Sequence, residues 1–93
     1  MTEVKDAQIR DVELGEEARN FLDSHLGREI MERANRKYED ALLLLGKVDP
    51  YKPLEIMKLQ NQVQLFEQFD EWLREIVDTG NAALAAFKQE QQT

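Results

Sequence analysis

Asp23, Ser24 and His25 stand side by side in a chain with a single histidine, and a carboxylate, a hydroxyl and an imidazole are the parts of a nucleophilic triad. Adjacency along the chain does not assemble one. The base must be oriented in space by the acid, and an oxyanion site must face the nucleophile. Ser24 instead has the chemistry of a helix N-cap, with His25 in the first turn of the helix that follows. Five carboxylates, Glu67, Asp70, Glu71, Glu75 and Asp78, fall at neighbouring helical positions, and inward carboxylates hold paired metal ions in some helical bundles. Those sites also draw Glu-x-x-His pairs from two helices, which one histidine cannot furnish. The absence of cysteine removes thiolate metal sites and disulfides. These residues predict no catalytic group, no metal site and no cofactor, and so a protein that is not an enzyme.

The aromatic residues point elsewhere. Phe66, Phe69 and Trp72 could stack a nucleic-acid base, but no basic groove accompanies them, and aromatic side chains at helical spacing usually belong to a packed face. From Pro53 to Phe87 no proline interrupts the chain, and Ile56, Leu59, Val63, Phe66, Leu73, Val77, Gly80, Leu84 and Phe87 recur at three- and four-residue steps. That is the seam of a helix packed on another helix. A second row, Leu65, Phe69, Trp72, Ile76 and Ala83, flanks the seam and makes the apolar arc wider than one contact requires. Phe66, Phe69, Trp72, Leu73, Ile76 and Phe87 are therefore the candidate anchors for a protein partner. Asp70 interrupts the seam. It lies at an edge or meets a base such as Arg33 or Arg36, and if buried and paired it would fix the register of an assembly. Thr79-Gly80-Asn81 would kink or end this helix, or Gly80 would let a neighbour approach closely, and a continuous helix is expected.

The elements that hold these residues follow from the remaining pattern. Residues 1–12 carry isolated apolar residues without a sustained stripe and predict a flexible arm or a short element that orders only in a complex. A short helix is expected over about 15–23, where Ala18, Phe21 and Leu22 share a face. Ser24 then starts a second helix over about 25–45, with Leu26, Ile30, Ala34, Tyr38, Ala41 and Leu45 on its packing side. The competing reading runs the two together through Gly27, at a cost of about 1 kcal/mol. Gly46 stands where a left-handed C-terminal residue is wanted, and the two prolines of KVDPYKP forbid continuation. The third helix runs over about 53–88, with Pro53 in its first turn and Asp49 as a possible cap from one turn earlier. Ninety-three residues make a single all-α domain: an antiparallel helical hairpin with a long C-terminal helix and a short additional N-terminal helix. A third helix of roughly 50 Å outruns a second of roughly 30 Å. Its far end must meet the first helix, another copy or a different protein, so self-association is expected.

Composition narrows the partners. A content of 42% hydrophobic and 33% charged residues suits a folded chain. The formal charge is −7. Acids are in excess at both ends, and the one basic concentration, Arg28, Arg33, Arg36 and Lys37, is interleaved with Glu29, Glu32, Glu39 and Asp40 at ion-pairing distances along a helix. Direct nucleic-acid binding is disfavoured by that potential. No apolar run spans a bilayer, and the first residues lack the hydrophobic segment of a secretory signal, which predicts no membrane partner and a cytoplasmic location. Gln60, Gln64 and Gln68 form a neutral row suited to plain helix surface or to hydrogen bonds at a subunit contact.

Ser24-x-Leu26-Gly27-Arg28, Val48-Asp49-Pro50, Leu59-Gln60-Asn61 and Trp72-Leu73-x-Glu75-Ile76-x-x-x-Gly80, in that order, resemble the small acidic helical proteins of tailed bacteriophages and prophages encoded among head and packaging genes. The resemblance covers roughly residues 18–87 and brings no catalytic signature. It implies a non-enzymatic, phage-derived accessory in virion assembly or DNA packaging, acting through protein contacts with itself or with a phage structural or packaging protein in the host cytoplasm or on the virion. Two rivals follow from the charge pattern: an acidic inhibitor of a nucleic-acid-binding enzyme, and a packaging accessory that binds nucleic acid through Arg28, Arg33, Arg36 and Lys37.

Overall fold

In the computed structural model, which describes residues 2–92, the chain forms three helices: α1 (Thr2–Asp23), α2 (His25–Leu45) and α3 (Pro53–Gln92). The forty residues of α3 span about 60 Å. α1 and α2, at about 33 and 32 Å, together match that length. Both pack on α3: α1 lies against its C-terminal half and α2 against its N-terminal half. The result is a thin slab of 63 × 29 × 17 Å.

The N-terminal expectation is corrected. Residues 2–12 are the start of a 22-residue helix, not an arm, and α1 is no short appendage, although Met1 lies outside the described residues. The inward side of α1 uses Gln8, Val12, Gly15, Ala18 and Leu22, all buried or half-buried, at three- and four-residue steps. Small and polar residues supply much of that stripe, so it carries little hydrophobic signal. At its centre α1 meets α3 glycine to glycine. A β-carbon built on Gly15 would lie 2.9 Å from the Gly80 Cα. Gly80 thus permits a close approach within a continuous helix, and Ala18 and Ala83, one turn on in each helix, are buried beside it.

Ser24 breaks the chain between α1 and α2. Its extended backbone lets Oγ accept from the Gly27 N–H at 2.9 Å, while its hydroxyl donates to the Phe21 carbonyl at 2.6 Å. One serine satisfies the end of one helix and the start of the next. The packing side of α2 is Gly27, Met31, Ala34, Tyr38, Ala41 and Leu45. Leu26 and Ile30, expected inward, are exposed. The stripe begins one position later because glycine occupies its first place, under the Phe21 carbonyl.

At the other end of α2, Gly46 is right-handed at φ −70° and ψ −16°, not left-handed, with its N–H donating to the Leu42 carbonyl. A β-carbon there would be 3.5 Å from the nearest atom, the Leu43 carbonyl oxygen. Gly46→Ala is therefore expected to stabilise the fold by about 0.4–1 kcal/mol through the unfolded state, read as a rise in the urea midpoint at unchanged slope. Asp49 closes the loop as a turn rather than capping α3: its carboxylate accepts from the Tyr51 N–H at 2.9 Å and its carbonyl from Lys52 at 3.0 Å. α3 continues past the expected end at 88 to Gln92.

Candidate functional site

The expected seam is the packing side of α3, because every residue of it from Ile56 to Phe87 is buried or half-buried. Its burial is nevertheless shallow. Among the described residues the buried apolar side chains are only Ala18, Ala41 and Ala83, and no large side chain is fully enclosed. Two helices laid end to end on a third give each seam residue cover from one side only.

The six anchor residues divide accordingly. Phe66, Leu73 and Phe87 turn into the intramolecular seam. The Phe66 ring stacks on Tyr38 of α2 at 4.8 Å between centroids, and Phe87 borders a groove with Ile9 and Val12 of α1. Phe69, Trp72 and Ile76 stay on the flank at 37%, 57% and 38% exposure, in line with Leu65 at 64%. Four residues spaced at steps of four, three and four lie along one side of a helix, here over roughly 16 Å. Beside them runs an open groove of about 540 Å³ between α2 and α3, bordered by Ala34, Ala41, Leu44, Leu65, Phe66 and Phe69. It continues past Leu44 and Gln62 into a second groove of about 300 Å³ reaching Val48 and Leu59.

The other side of the same helix pair is acidic. Glu67, Asp70, Glu71, Glu75 and Asp78 border a shallow depression with Tyr38, Phe66 and Arg74. Tyr38 donates to Glu67 at 3.1 Å, and that hydrogen bond holds its hydroxyl above the usual tyrosine range. Asp70 is half-buried and pairs with Arg74 one turn along α3 at 2.9 Å. Its partner is thus intrahelical. Arg33 and Arg36, the bases offered for it from α2, are held on their own helix by Glu29 at 2.9 Å and Glu32 at 2.6 Å. The Glu32 hydrogen bond raises the Arg36 guanidinium further above its ordinary value. Ion pairs this exposed contribute little to stability.

Ser24 is occupied in capping and His25 is exposed, so the Asp23-Ser24-His25 run is a helix junction. Among the described residues no group of three or more acidic or histidine side chains is disposed to hold a metal ion, and no helix is long and apolar enough to cross a membrane. Leu65 belongs to the second apolar row of α3, while Leu44 lies off the expected stripe of α2. That they edge one groove depended on the α2–α3 pairing. No protein-family model, curated protein or solved structure matches this chain.

Proposed function

We propose that this chain is a non-enzymatic interaction protein that works through the apolar flank of α2 and α3. One observation carries the reading: the chain exposes 7712 Å², where a folded monomer of 10.9 kDa is expected to expose about 5,600 Å². Its radius of gyration, 18.8 Å, likewise exceeds the roughly 12 Å of a compact domain of this length. A fold with so little interior gains by docking, and Leu65, Phe69, Trp72 and Ile76 are the side chains positioned to dock. The resemblance to phage head and packaging proteins supplies the setting, an accessory of virion assembly or DNA packaging.

Affinity capture of the intact chain during particle assembly tests this. A capsid, portal or terminase component is expected to be retained, and released when Trp72 is changed to serine. Retention of no protein would overturn the accessory role. A second reading, an acidic inhibitor, is favoured by the gathering of Glu67, Asp70, Glu71, Glu75 and Asp78 on one side with Arg74 as the base among them. Capture of a nuclease, lost in high salt and unaffected by the Trp72 change, would select it.

A further inference from the structure

The apolar flank has the shape of an interface that fits itself. On α3, Leu65, Phe69 and Trp72 form a ridge of large side chains. On α2, Ala34 and Ala41 leave a trough beside that ridge, in the 540 Å³ groove, with Ala41 only 2% exposed at its floor. A two-fold interface requires ridge and trough on the same patch, since each copy must offer what the other needs. We propose that this flank is covered by a second copy of the chain, related by a two-fold axis. The ridge of each copy seats in the trough of the other, and two helix pairs close into a four-helix bundle around α2 and the first half of α3.

Area favours this occupant. The chain as a whole exposes about 2,100 Å² more than a compact monomer of its mass, so the roughly 800 Å² per partner of a standard interface can be covered with surface to spare. A fold that lacks an enclosed core gains stability when its open flank is covered. A second copy is the one partner always present with it. Charge agrees: the grooves on this flank are edged by Lys37, Lys47 and Lys58 against Asp40 and Glu55, nearly balanced in a chain of net charge −7. The five acids of the opposite depression face away from the contact, so two copies can approach without opposing their negative sides. A slab 17 Å thick becomes a two-layer bundle, the common solution for burying one apolar face of a helix pair.

The inference rests on the contact function proposed above, and the experiment separates the two. Sedimentation equilibrium of the full chain over a concentration series is expected to show a dimer of about 22 kDa, twice the chain mass. Trp72 is the only tryptophan, so its emission should move to the red as dilution frees it. Leu65→Gln and Trp72→Ser, both at exposed positions of the single chain, should retain the far-UV helical circular dichroism of the chain and weaken the dimer at least about 30-fold, as loss of an interface anchor does. Glu71→Gln on the acidic side should leave the dimer within about two-fold, as a surface change away from the contact. A dimer indifferent to Leu65→Gln and Trp72→Ser would overturn the assigned face, and a trimer or larger species the two-fold. A chain that stays monomeric at high concentration yet still retains a virion component through Trp72 would overturn the second copy and leave the contact function standing. A monomer that retains nothing would overturn both.

Discussion

Changing Gly80 to valine is expected to destabilise the chain by about 2–3 kcal/mol, although the same change in an isolated helix would be favourable. The sign is set by the backbone of α1. A β-carbon on Gly80 would stand 2.8 Å from both the Gly15 Cα and the Asp11 carbonyl oxygen. Neither atom belongs to a side chain that can swing aside, so the helices must part. Separation would strip contacts from Ala18 and Ala83, two of the three buried apolar side chains among the described residues, and from the seam residues on either side. Valine adds two methyl groups in a stiff rotamer to that clash. Thermal unfolding by far-UV circular dichroism should register a fall of the midpoint by roughly 10–20 °C, at 4–8 °C per kcal/mol for a domain of this size. Gly15→Ala should cost less, because its clash is a single close atom at 2.9 Å and a second at 3.4 Å. A Gly80→Val chain as stable as the parent would mean that α1 and α3 do not cross there.

That crossing also explains what the sequence hid. The seam of α3 was legible because Ile56, Leu59, Val63, Phe66, Leu73, Val77, Leu84 and Phe87 are large and apolar, and the period of such residues reports the buried side directly. The partner seam on α1 is written in Gly15 and Ala18 with Gln8 and Val12, where burial comes from backbones approaching closely. Hydrophobic periodicity measures side-chain size and polarity, so an interface built by removing side chains falls below its threshold. Hence the first twelve residues read as an arm, and the C-terminal half of α3 as lacking cover. The same blind spot displaced the α2 stripe by one residue at Gly27. The Leu65-to-Ile76 flank was visible as a second row because its residues are large. Its neighbour in the groove, Ala34 and Ala41, gained meaning only once the pairing of α2 with α3 set them beside it. Asp70 interrupts the seam, and the cross-helix bases Arg33 and Arg36 are the partners its position suggests, whereas the structure pairs it with Arg74. A base one turn along the same helix needs no tertiary geometry to be reached.

Gly27→Ala gives the sharpest test of the junction between α1 and α2, because a continuous helix and a broken one demand opposite signs. In a continuous helix, alanine at this interior position would stabilise by about 1 kcal/mol. In the structure, the β-carbon would fall far inside van der Waals contact with the Phe21 carbonyl oxygen and 2.6 Å from its carbonyl carbon. The Phe21 carbonyl already accepts from both the Ser24 N–H and the Ser24 hydroxyl, so it cannot turn away without freeing those donors. Ser24→Ala removes only the side-chain cap and should cost about 1 kcal/mol, leaving the bend in place. Gly27→Ala must open the bend itself. Straightening it would carry α2 off α3, separating Tyr38 from the Phe66 ring and from Glu67, and opening the groove between α2 and α3. A loss of at least about 3 kcal/mol is therefore expected, the range of severe steric and packing defects, against a third of that for Ser24→Ala. Urea unfolding of the two variants beside the parent reads the order directly. A Gly27→Ala midpoint above that of Ser24→Ala would show that α1 and α2 form one rod, and the α2–α3 groove that depends on their break would go with it.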